Sequence, residues 1–562
     1  MMKKIAWPKY LPAKTVLYTV CACTALLCTA ILTAAFVIPF IAATASAFTS
    51  VHEEKFQYAF FSVIKPAFFT VRLAFFSTVL AVAVGLPAAY LIANKKFLGR
   101  SFLESLSAIP LCFPPLLVAL GYVSAFGMQG SVNKALMKTF NLELPPVTFL
   151  YSFAGIILVQ GFYNFPIVMK TVGDSWKRIP KEMQEAAKML GAKKFCIFRT
   201  VTIFQLLPSL AASSLIVFLF CFFSFIIVLL FGPVGSATLE VEIYQAARST
   251  LNFHKASVLS LLETAIAVSV IALHAKAEKL SQKNTGISFS NDESGKDDKN
   301  GESFLKNSPL SEKIPAAFVI SLIAVFFLLP LFMLAVNAFS GNAEQRAVRY
   351  MNFTFANFIK IFSQKSFYVS VTHTFQTAFS TAVLCTAAGT AYSFALKRFS
   401  NPKTIFRIVP LLPMAVSSIV TGFGMTQFIR RGSPLTLILA QSALYWPFAF
   451  RQIMHGADRI PKEIQEASVL LTSRRFDRCF SVMLPLCKTN MIGAFGFCFA
   501  MSAGDASLPL ILAIPRYDTL SLFTYRLASS YRFDDACACG CILALLTAGV
   551  FYLSSKFSGK NL

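Results

Sequence analysis

The sequence predicts an all-α polytopic membrane protein, and three features indicate this class. Hydrophobic residues make up 56% of the 562 residues, while charged residues make up 14%, well below the roughly 25% typical of soluble proteins. Apolar runs long enough to cross a bilayer recur along the whole chain. Basic residues collect in the short segments between these runs. Such a composition excludes a soluble globular or a disordered protein.

Twelve apolar runs are predicted as transmembrane helices, because a bilayer core needs about 20 apolar residues per helix. In the first part of the chain they lie at about 15–43, 67–93, 105–126, 148–170, 208–232 and 255–275. In the second part they lie at about 314–338, 366–396, 408–428, 435–456, 488–513 and 535–554. The first run is longer than the apolar core of a signal peptide, so we expect an uncleaved span.

The distribution of basic residues predicts the orientation. If the N-terminus is cytoplasmic, more than two thirds of the Lys and Arg residues lie in cytoplasmic segments or at cytoplasmic span ends. The positive-inside rule therefore places both termini in the cytoplasm. The same distribution argues against nucleic-acid binding, despite a formal net charge of +25. The basic residues form no separate soluble domain.

A polar segment divides the chain. Residues 281–310 are rich in Ser, Asn, Gly, Asp and Lys, and they cannot bury a core. We therefore expect a flexible cytoplasmic linker over 281–313. It separates a first half, residues 1–280, from a second half, residues 314–562, with six predicted spans each.

The two halves are related in sequence. Residues 179–187 read IPKEMQEAA and residues 460–468 read IPKEIQEAS, so seven of nine positions match at an offset of 281. Upstream of this segment the offset is 302, which places a longer outer loop at residues 127–147 of the first half. Both repeated loops are predicted on the cytoplasmic side, so the repeat is parallel. Two such six-span bundles predict a pseudo-dimer with a path at its interface.

The repeated loop, at about 174–207 and again at about 455–487, has the pattern of a short helix. Pro180 and Pro461 suit a first helical turn, and the acidic residues Glu182 and Glu463 complement the helix dipole there. Gly191 is predicted to end the first helix in a left-handed cap.

This loop resembles the signature loop of permease subunits of binding-protein-dependent ABC importers, a coupling helix that docks on the ATPase subunit. Each copy departs from the family pattern: the second has Ser468 for Ala and Thr472 for Gly, and the first has Phe204 for Pro. Thr472 avoids positive φ, so the two coupling loops are predicted to be unequal. The residues that the resemblance assigns to coupling are Glu185, Ala186, Ala187, Gly191, Glu466, Ala467, Ser468 and Thr472.

Fused twelve-span permeases of the thiamine and ferric-iron importers resemble nearly the whole chain. The resemblance implies a bacterial inner-membrane transport subunit that works with two ABC ATPase copies and an extracytoplasmic binding protein. The chain has no Gly-rich phosphate-binding loop, so ATP is expected on the ATPase, and no catalytic role or cofactor is predicted. Thiamine is favoured as cargo over ferric iron, because the spans offer aromatic faces and no histidine cluster.

Asp505 is predicted to line the path, because an acidic residue within an apolar span is costly unless it faces a wet interior. The offset of 281 places Ser224 at the equivalent position of the first half. No metal site is predicted. Cys537, Cys539 and Cys541 would not share one helix face, and His373 is expected to be packed rather than to bind a ligand.

An ATP-independent twelve-span secondary transporter is the alternative from another class. The charged loop after the second span, residues 94–100, does not have the pattern of the major facilitator transporters. A membrane-embedded enzyme is a further option, but no nucleophile or metal constellation within the predicted spans supports it.

Overall fold

The computed structural model describes residues 12–45, 56–95, 97, 99–233, 235, 237–285, 310–340, 353–397, 409–429, 431–471 and 479–559. Within these ranges the regular elements are helices, apart from one isolated β-bridge between Ser340 and Phe353. The all-α prediction is therefore confirmed for the described residues.

The first half contains long helices separated by sets of short ones, and it closes with a long helix. In chain order the α-helices are α1 (Pro12–Ala45), α2 (Phe56–Asn94), α3 (Arg100–Ser105), α4 (Ile109–Cys112), α5 (Pro115–Phe126), α6 (Ser131–Phe140), α7 (Phe153–Lys177), α8 (Lys181–Met189), α9 (Lys194–Ile197), α10 (Ile203–Phe222), α11 (Phe225–Phe231), α12 (Leu239–Arg248) and α13 (Phe253–Thr285).

The second half follows the same plan. Its α-helices are α14 (Leu310–Ile323), α15 (Leu329–Ala338), α16 (Ala356–Phe362), α17 (Lys365–Lys397), α18 (Ser418–Phe428), α19 (Pro434–Asp458), α20 (Lys462–Leu471), α21 (Leu484–Gly504), α22 (Ser507–Leu512), α23 (Leu520–Ser529) and α24 (Phe533–Gly559). Helices α13 and α14 extend into both ends of the predicted linker, and residues 286–309 lie outside the described residues.

The internal repeat is visible in the helix boundaries. Helices α7 and α19 begin and end at positions related by the offset of 281, and so do α12 and α23. A single π-helical turn, Phe198–Thr202, precedes α10, and its counterpart Cys479–Met483 precedes α21. The offset read from the loop sequence therefore extends through the second part of each half.

Among the described residues, nine segments are long and apolar enough to cross a membrane. The predicted run 105–126 is not one continuous helix, because Phe113 and Pro114 separate α4 from α5, which begins at Pro115. In the second half the run 408–428 begins as a 3₁₀ helix, Val409–Ala415, with Pro413 inside it. Proline lacks the N–H that a continuing helix needs. The predicted runs 208–232 and 488–513 are broken as well, between α10 and α11 at Ser224 and between α21 and α22 at Asp505. The twelve-span reading of uninterrupted helices is thus too simple at these four places.

The first helix of each half packs against the other half. Helix α1 contacts α17, α18 and α19, while α14 contacts α2, and α15 contacts α5. Two of these crossings are made at a glycine. A Cβ atom added to Gly424 would overlap the carbonyl oxygen of Pro39, and one added to Gly121 would overlap that of Pro330. Small residues allow this close approach of helix backbones, and the exchange ties the two halves together.

Candidate functional site

Helix α8 has the local structure that its sequence predicts. It begins at Lys181, directly after Pro180, and Glu182 lies in its first turn. At its other end the N–H of Gly191 bonds to the carbonyl oxygen of Lys188, and the N–H of Ala192 bonds to that of Ala187. Gly191 has φ of +81°. This double hydrogen bond with a left-handed glycine is a Schellman cap, as expected for Gly191.

Helix α20 repeats α8 at the same offset. It begins at Lys462, with Glu463 in its first turn. In both helices the proline precedes the first helical residue instead of lying within the first turn, where the sequence places it. Thr472 lies outside the described residues, so the prediction of an unequal turn stays a prediction. We call α8 and α20 the loop helices.

The loop helices expose most of the residues that the sequence assigns to coupling. Glu185 and Ala186 of α8 are exposed, and so are Glu466 and Ala467 of α20. Ala187 is half-buried, and its counterpart Ser468 is buried. These two positions therefore face the body of the protein, and the acidic residue and the first alanine of each copy remain accessible.

The structure shows apolar residues on the loop helices that the sequence reading missed. Met189 and its counterpart Leu470 are each 89% exposed, and Met183 and Ile464 are also exposed at matching positions. Leu190 extends the patch in the first half. Apolar side chains with this exposure lie at matching positions of both loop helices. Their recurrence at the offset of 281 was the sequence signal that could have found them.

The first loop helix is anchored by aromatic side chains and an ion pair. The Trp176 ring lies 5.5 Å from Tyr90 and stacks on Phe198 at 6.0 Å between centroids. Lys177 Nζ lies 2.6 Å from Glu104 Oε1. Burial raises the pKa of Glu104, but the hydrogen bond and charge of Lys177 outweigh it, so this pKa lies below its usual range.

The second loop helix is anchored differently. Ala457 takes the place of Trp176 and packs with Ile460, Cys487 and Phe394 in a small cluster. Nearby, Arg451 Nη2 lies 2.6 Å from Glu278 Oε1, at the end of α13 in the other half.

Arg451 and its counterpart Lys170 lie at matching positions of α19 and α7. Both side chains are ion-paired. Lys170 Nζ lies 3.1 Å from Asp174 Oδ1, within its own helix, whereas Arg451 bonds across the interface between the halves. Both pairs are partly exposed, so each contributes less than about 1 kcal/mol to stability.

A central cavity of about 270 Å³ lies between the two halves. The first half contributes residues near the α4–α5 break and from α10, and the second half contributes residues around α18, α19 and α21. Aromatic side chains in its wall are Phe113, Tyr163, Phe220, Phe223, Tyr445, Phe448 and Phe497. Asp505 is the single carboxylate in this wall, which contains no histidine among the described residues.

Asp505 lies at the break between α21 and α22. Its Oδ1 accepts hydrogen bonds from the N–H of Ser507 at 2.9 Å and of Leu508 at 3.4 Å, so it caps α22. Gln441 Nε2 approaches Oδ2 at 3.5 Å. The counterpart Ser224 occupies the same break in the first half but makes no side-chain cap hydrogen bond. It does not line the cavity.

The sequence analysis does not single out two buried carboxylates. Glu240 and Glu263 are each 1% exposed, on the neighbouring helices α12 and α13. Glu263 lies within the predicted span 255–275, so an acidic residue in an apolar run was the available signal.

Other residues singled out from the sequence are packed. His373 stacks on Tyr517 with centroids 3.9 Å apart, and its Nδ1 lies 3.2 Å from the carbonyl oxygen of Asp518. Cys537 contacts Ser124, Cys539 contacts Thr524, and Cys541 contacts the Leu334 backbone. The three thiols thus meet different neighbours.

The repeated loop helices and the all-helical halves define the class of protein. The model of the family "binding-protein-dependent transport system inner membrane component" matches residues 81–277 and 386–560, well over half of the chain. The chain therefore belongs to this family and is a multi-pass, non-catalytic subunit of a bacterial ABC importer in the inner membrane. Permeases of this family work with an ATPase and a binding protein.

Individual relatives match over most of the chain. The thiamine transport system permease protein of Salmonella typhimurium is 23% identical over 552 residues, which is 96% of each chain. The thiamine transport system permease protein of Escherichia coli K12 is 23% identical over 87% of this chain and 88% of its own. A putative 2-aminoethylphosphonate transport system permease protein of Salmonella typhi is 29% identical over 39% of this chain and 74% of its own.

Proposed function

We propose that this chain carries thiamine across the membrane and that its two loop helices dock onto two copies of an ATPase subunit, one on each. One observation carries the docking proposal: α8 and α20 expose apolar side chains and a glutamate at positions related by the same offset. A protein that binds two identical partners needs two similar surfaces. Membership in the importer family favours this over an ATP-independent secondary transporter.

The anchoring of the loop helices supports a mechanical role. Trp176 of α7 packs on the π-helical turn that precedes α10, so α8 is held between two long helices. A displacement of α8 by the ATPase would therefore move α7 and α10 as a unit. Both helices contribute to the wall of the central cavity, through Tyr163 and Phe220. Closure of the two ATPase subunits would in this way change the shape of the cavity.

Charge reversal on the loop helices tests the docking proposal. Glu185→Lys and Glu466→Lys each place a positive charge where the partner meets a carboxylate, and both are expected to lower co-purification of the ATPase and ATP-dependent uptake. The control is Glu143→Lys, an exposed glutamate in the segment that follows α6. Unchanged co-purification and uptake in both reversals would show that α8 and α20 are not the docking elements.

The orientation follows from docking, because the ATPase is cytoplasmic. We infer that the loop helices and both termini face the cytoplasm. Residues 281–313 then form a cytoplasmic linker between the halves 1–280 and 314–562. The basic residues in the loops on this side support the orientation. A single cysteine at Ser294, in a cysteine-depleted chain, should resist an impermeant thiol reagent added to intact cells. Labelling by the reagent from outside the cell would contradict this orientation.

The central cavity supports thiamine as the cargo. Thiamine is an aromatic organic cation, and the cavity wall combines many aromatic rings with one carboxylate, Asp505. Aromatic faces attract organic cations weakly. Ferric iron favours several oxygen or nitrogen ligands, whereas this wall has a single carboxylate and, among the described residues, no histidine. The relatives described above are named for thiamine or 2-aminoethylphosphonate.

Two substitutions of Asp505 separate charge from structure. Asp505→Asn keeps an acceptor that can cap α22 but removes the charge, whereas Asp505→Ala removes both. In vesicles with the ATPase and binding protein, we expect both variants to lower ATP-dependent uptake of labelled thiamine. Full uptake by Asp505→Asn with loss in Asp505→Ala would assign Asp505 a structural role, not a role in the path. Ferric-iron accumulation without thiamine uptake would contradict the proposed cargo.

The role of Ser224 differs from that of Asp505 in this proposal. Ser224 holds the equivalent helix break in the first half, outside the cavity wall. We therefore expect Ser224→Ala to leave thiamine uptake close to that of the parent chain. A loss of uptake as large as that of Asp505→Ala would place Ser224 in the path after all.

A further inference from the structure

The exposed face of helix α2 differs from that of its counterpart α17. The structure aligns the two helices at an offset of 304, two residues more than the sequence indicates. Thr70 Oγ1 of α2 accepts the N–H of Leu239, which begins α12. In the same way, Thr374 Oγ1 of α17 accepts the N–H of Leu520, which begins α23. The side chains of α2 and α17 can therefore be compared position by position.

Both helices expose the same apolar stripe. Phe75 and Val79 of α2 are exposed, and so are their counterparts Phe379 and Val383 of α17. Residues four apart lie on one side of a helix. Both helices are long and apolar enough to cross a membrane, and the exposed apolar side of such a helix faces lipid. Each half therefore has a stripe that contacts acyl chains.

The same face has two basic residues in the first half and none at the matching positions of the second. Lys65 and Arg72 are exposed on α2, seven residues apart, and Phe75 follows Arg72 by three residues. This spacing places them on one side of the helix. The counterparts on α17 are the exposed residues Val369 and Gln376, which are uncharged. The two positive charges are thus a special feature of the first half.

Arg72 lies at the level of lipid headgroups, on the side of the membrane opposite to the loop helices. Tyr90, near the other end of α2, packs against Trp176 beneath α8. Arg72 precedes Tyr90 by 18 residues, which corresponds to about 27 Å along the helix axis. This length is close to the thickness of a bilayer core, about 30 Å. Residues 73–93 contain no charged side chain, so Arg72 is the first charge beyond the apolar stretch.

The guanidinium group of Arg72 lies beside the N-terminus of α7. Its Cζ is 4.3 Å from the centre of the Phe153 ring, and Phe153 is the first residue of α7. Phe69 packs against the same ring, with the centroids 5.6 Å apart. A helix N-terminus has about half a positive charge, which repels the guanidinium. Among the described residues, neither Arg72 nor Lys65 forms an ion pair, so an anion is needed to compensate this positive charge.

We propose that Lys65 and Arg72, beside the N-terminus of α7, form a site for the headgroup of an anionic phospholipid. A guanidinium binds two phosphate oxygens at once, and Lys65 adds a second charge about 10 Å further along the axis. The acyl chain lies along the stripe that begins at Phe75, directly after Arg72, which favours a lipid over a free phosphate ion. The positive charges repel the ammonium group of a zwitterionic headgroup. The bound lipid neutralises the guanidinium and stabilises the packing of α2 against α7.

The test measures lipid binding without reference to transport. The purified full chain, in a mild detergent, is incubated with equal amounts of phosphatidylglycerol and phosphatidylcholine, and native mass spectrometry detects the lipids that stay bound. Thermal unfolding is followed in parallel with each lipid and with inorganic phosphate. We expect phosphatidylglycerol to be bound in preference to phosphatidylcholine and to raise the unfolding midpoint. Inorganic phosphate should leave the midpoint unchanged.

Variants locate the site. Arg72→Gln should weaken the binding of phosphatidylglycerol about tenfold, and Lys65→Gln should weaken it about fivefold. The matched control is Lys365→Gln, which removes the same charge from an exposed lysine at the start of α17. This control should bind the lipid as the parent chain does. All three side chains are exposed, so the unfolding midpoint without added lipid should stay close to that of the parent chain.

Three results would overturn the proposal. The first is equal binding of phosphatidylglycerol and phosphatidylcholine by the parent chain. The second is a loss of binding in Lys365→Gln as large as that in Lys65→Gln, which would show attraction by overall charge alone. The third is an unfolding midpoint that inorganic phosphate raises as much as phosphatidylglycerol does, which would assign the two cations to a free anion.

Discussion

The two loop helices expose similar surfaces but pack on different sets of residues. Met189 and Leu470 are equally exposed, and the glutamates Glu185 and Glu466 are exposed beside them. Beneath this surface the first loop rests on the rings of Tyr90, Trp176 and Phe198. The second rests on a small aliphatic and thiol cluster. We infer that both loops bind alike but transmit motion differently.

The ion pairs near the two loop helices also differ: one lies within a half, and the other joins the two halves. In the first half, Glu104 and Lys177 join segments of one half. In the second, Arg451 bonds to Glu278 across the interface. Movement of the second loop is therefore coupled directly to the contact between the halves, and movement of the first loop is coupled to its own bundle.

The largest expected effect comes from removing the aromatic anchor of the first loop. Trp176→Ala makes this position identical to Ala457 and leaves a cavity beneath α8. Truncation of a buried tryptophan costs about 3–5 kcal/mol, so the thermal unfolding midpoint should fall steeply. Cys487→Ala, in the smaller cluster of the second loop, should cost about 1 kcal/mol. Equal falls of the unfolding midpoint in the two variants would show that the two packing clusters contribute equally to stability.

The next effect concerns the surface that the loops share. Met189→Asp and Leu470→Asp each place a charge in the apolar contact and should weaken ATPase binding by about 2 kcal/mol. The measurement is the affinity of the purified ATPase for each variant in nanodiscs. Met128→Asp, an exposed methionine beside α6, is the control. A large loss in one loop variant and none in the other would contradict the matched surfaces.

The cap of α8 gives a smaller difference. Gly191 has positive φ, and a branched residue there costs about 1–2 kcal/mol. Gly191→Val should therefore uncouple ATP hydrolysis from thiamine uptake more than Thr472→Val does. The ratio of uptake to hydrolysis is the readout. If both substitutions reduced the ratio equally, the prediction that the turns at Gly191 and Thr472 are unequal would be wrong.

The smallest effect is the pH dependence of the Glu104–Lys177 pair. The folded state lowers the pKa of Glu104, so the pair stabilises the protein above the ordinary glutamate pKa. This contribution is lost as the pH falls below about 4.5. The pair is partly exposed, so it contributes less than about 1 kcal/mol. Lys177→Met should flatten this part of the pH–stability curve, and an unchanged curve would mean that the pair contributes nothing.

Local sequence determined much of this molecule. Its apolar runs, its basic loops and its two copies of the loop helix follow from composition and from short-range patterns. The Schellman cap at Gly191 was predictable because the requirement for positive φ is a property of one residue and its neighbours. The breaks at Pro114 and Pro413 were also visible in the sequence, although the reading as continuous spans passed over them.

Only the tertiary structure decided which helices meet. The exchange of α1 and α15 between the halves depends on glycines, Gly424 and Gly121, that face helices distant in sequence. Asp505 lines a cavity whose other wall comes from the first half. Glu240 and Glu263 reach Ser417 from the other half of the chain. The reason is physical: hydrophobic periodicity marks a buried face but not its partner, since apolar contact is non-directional.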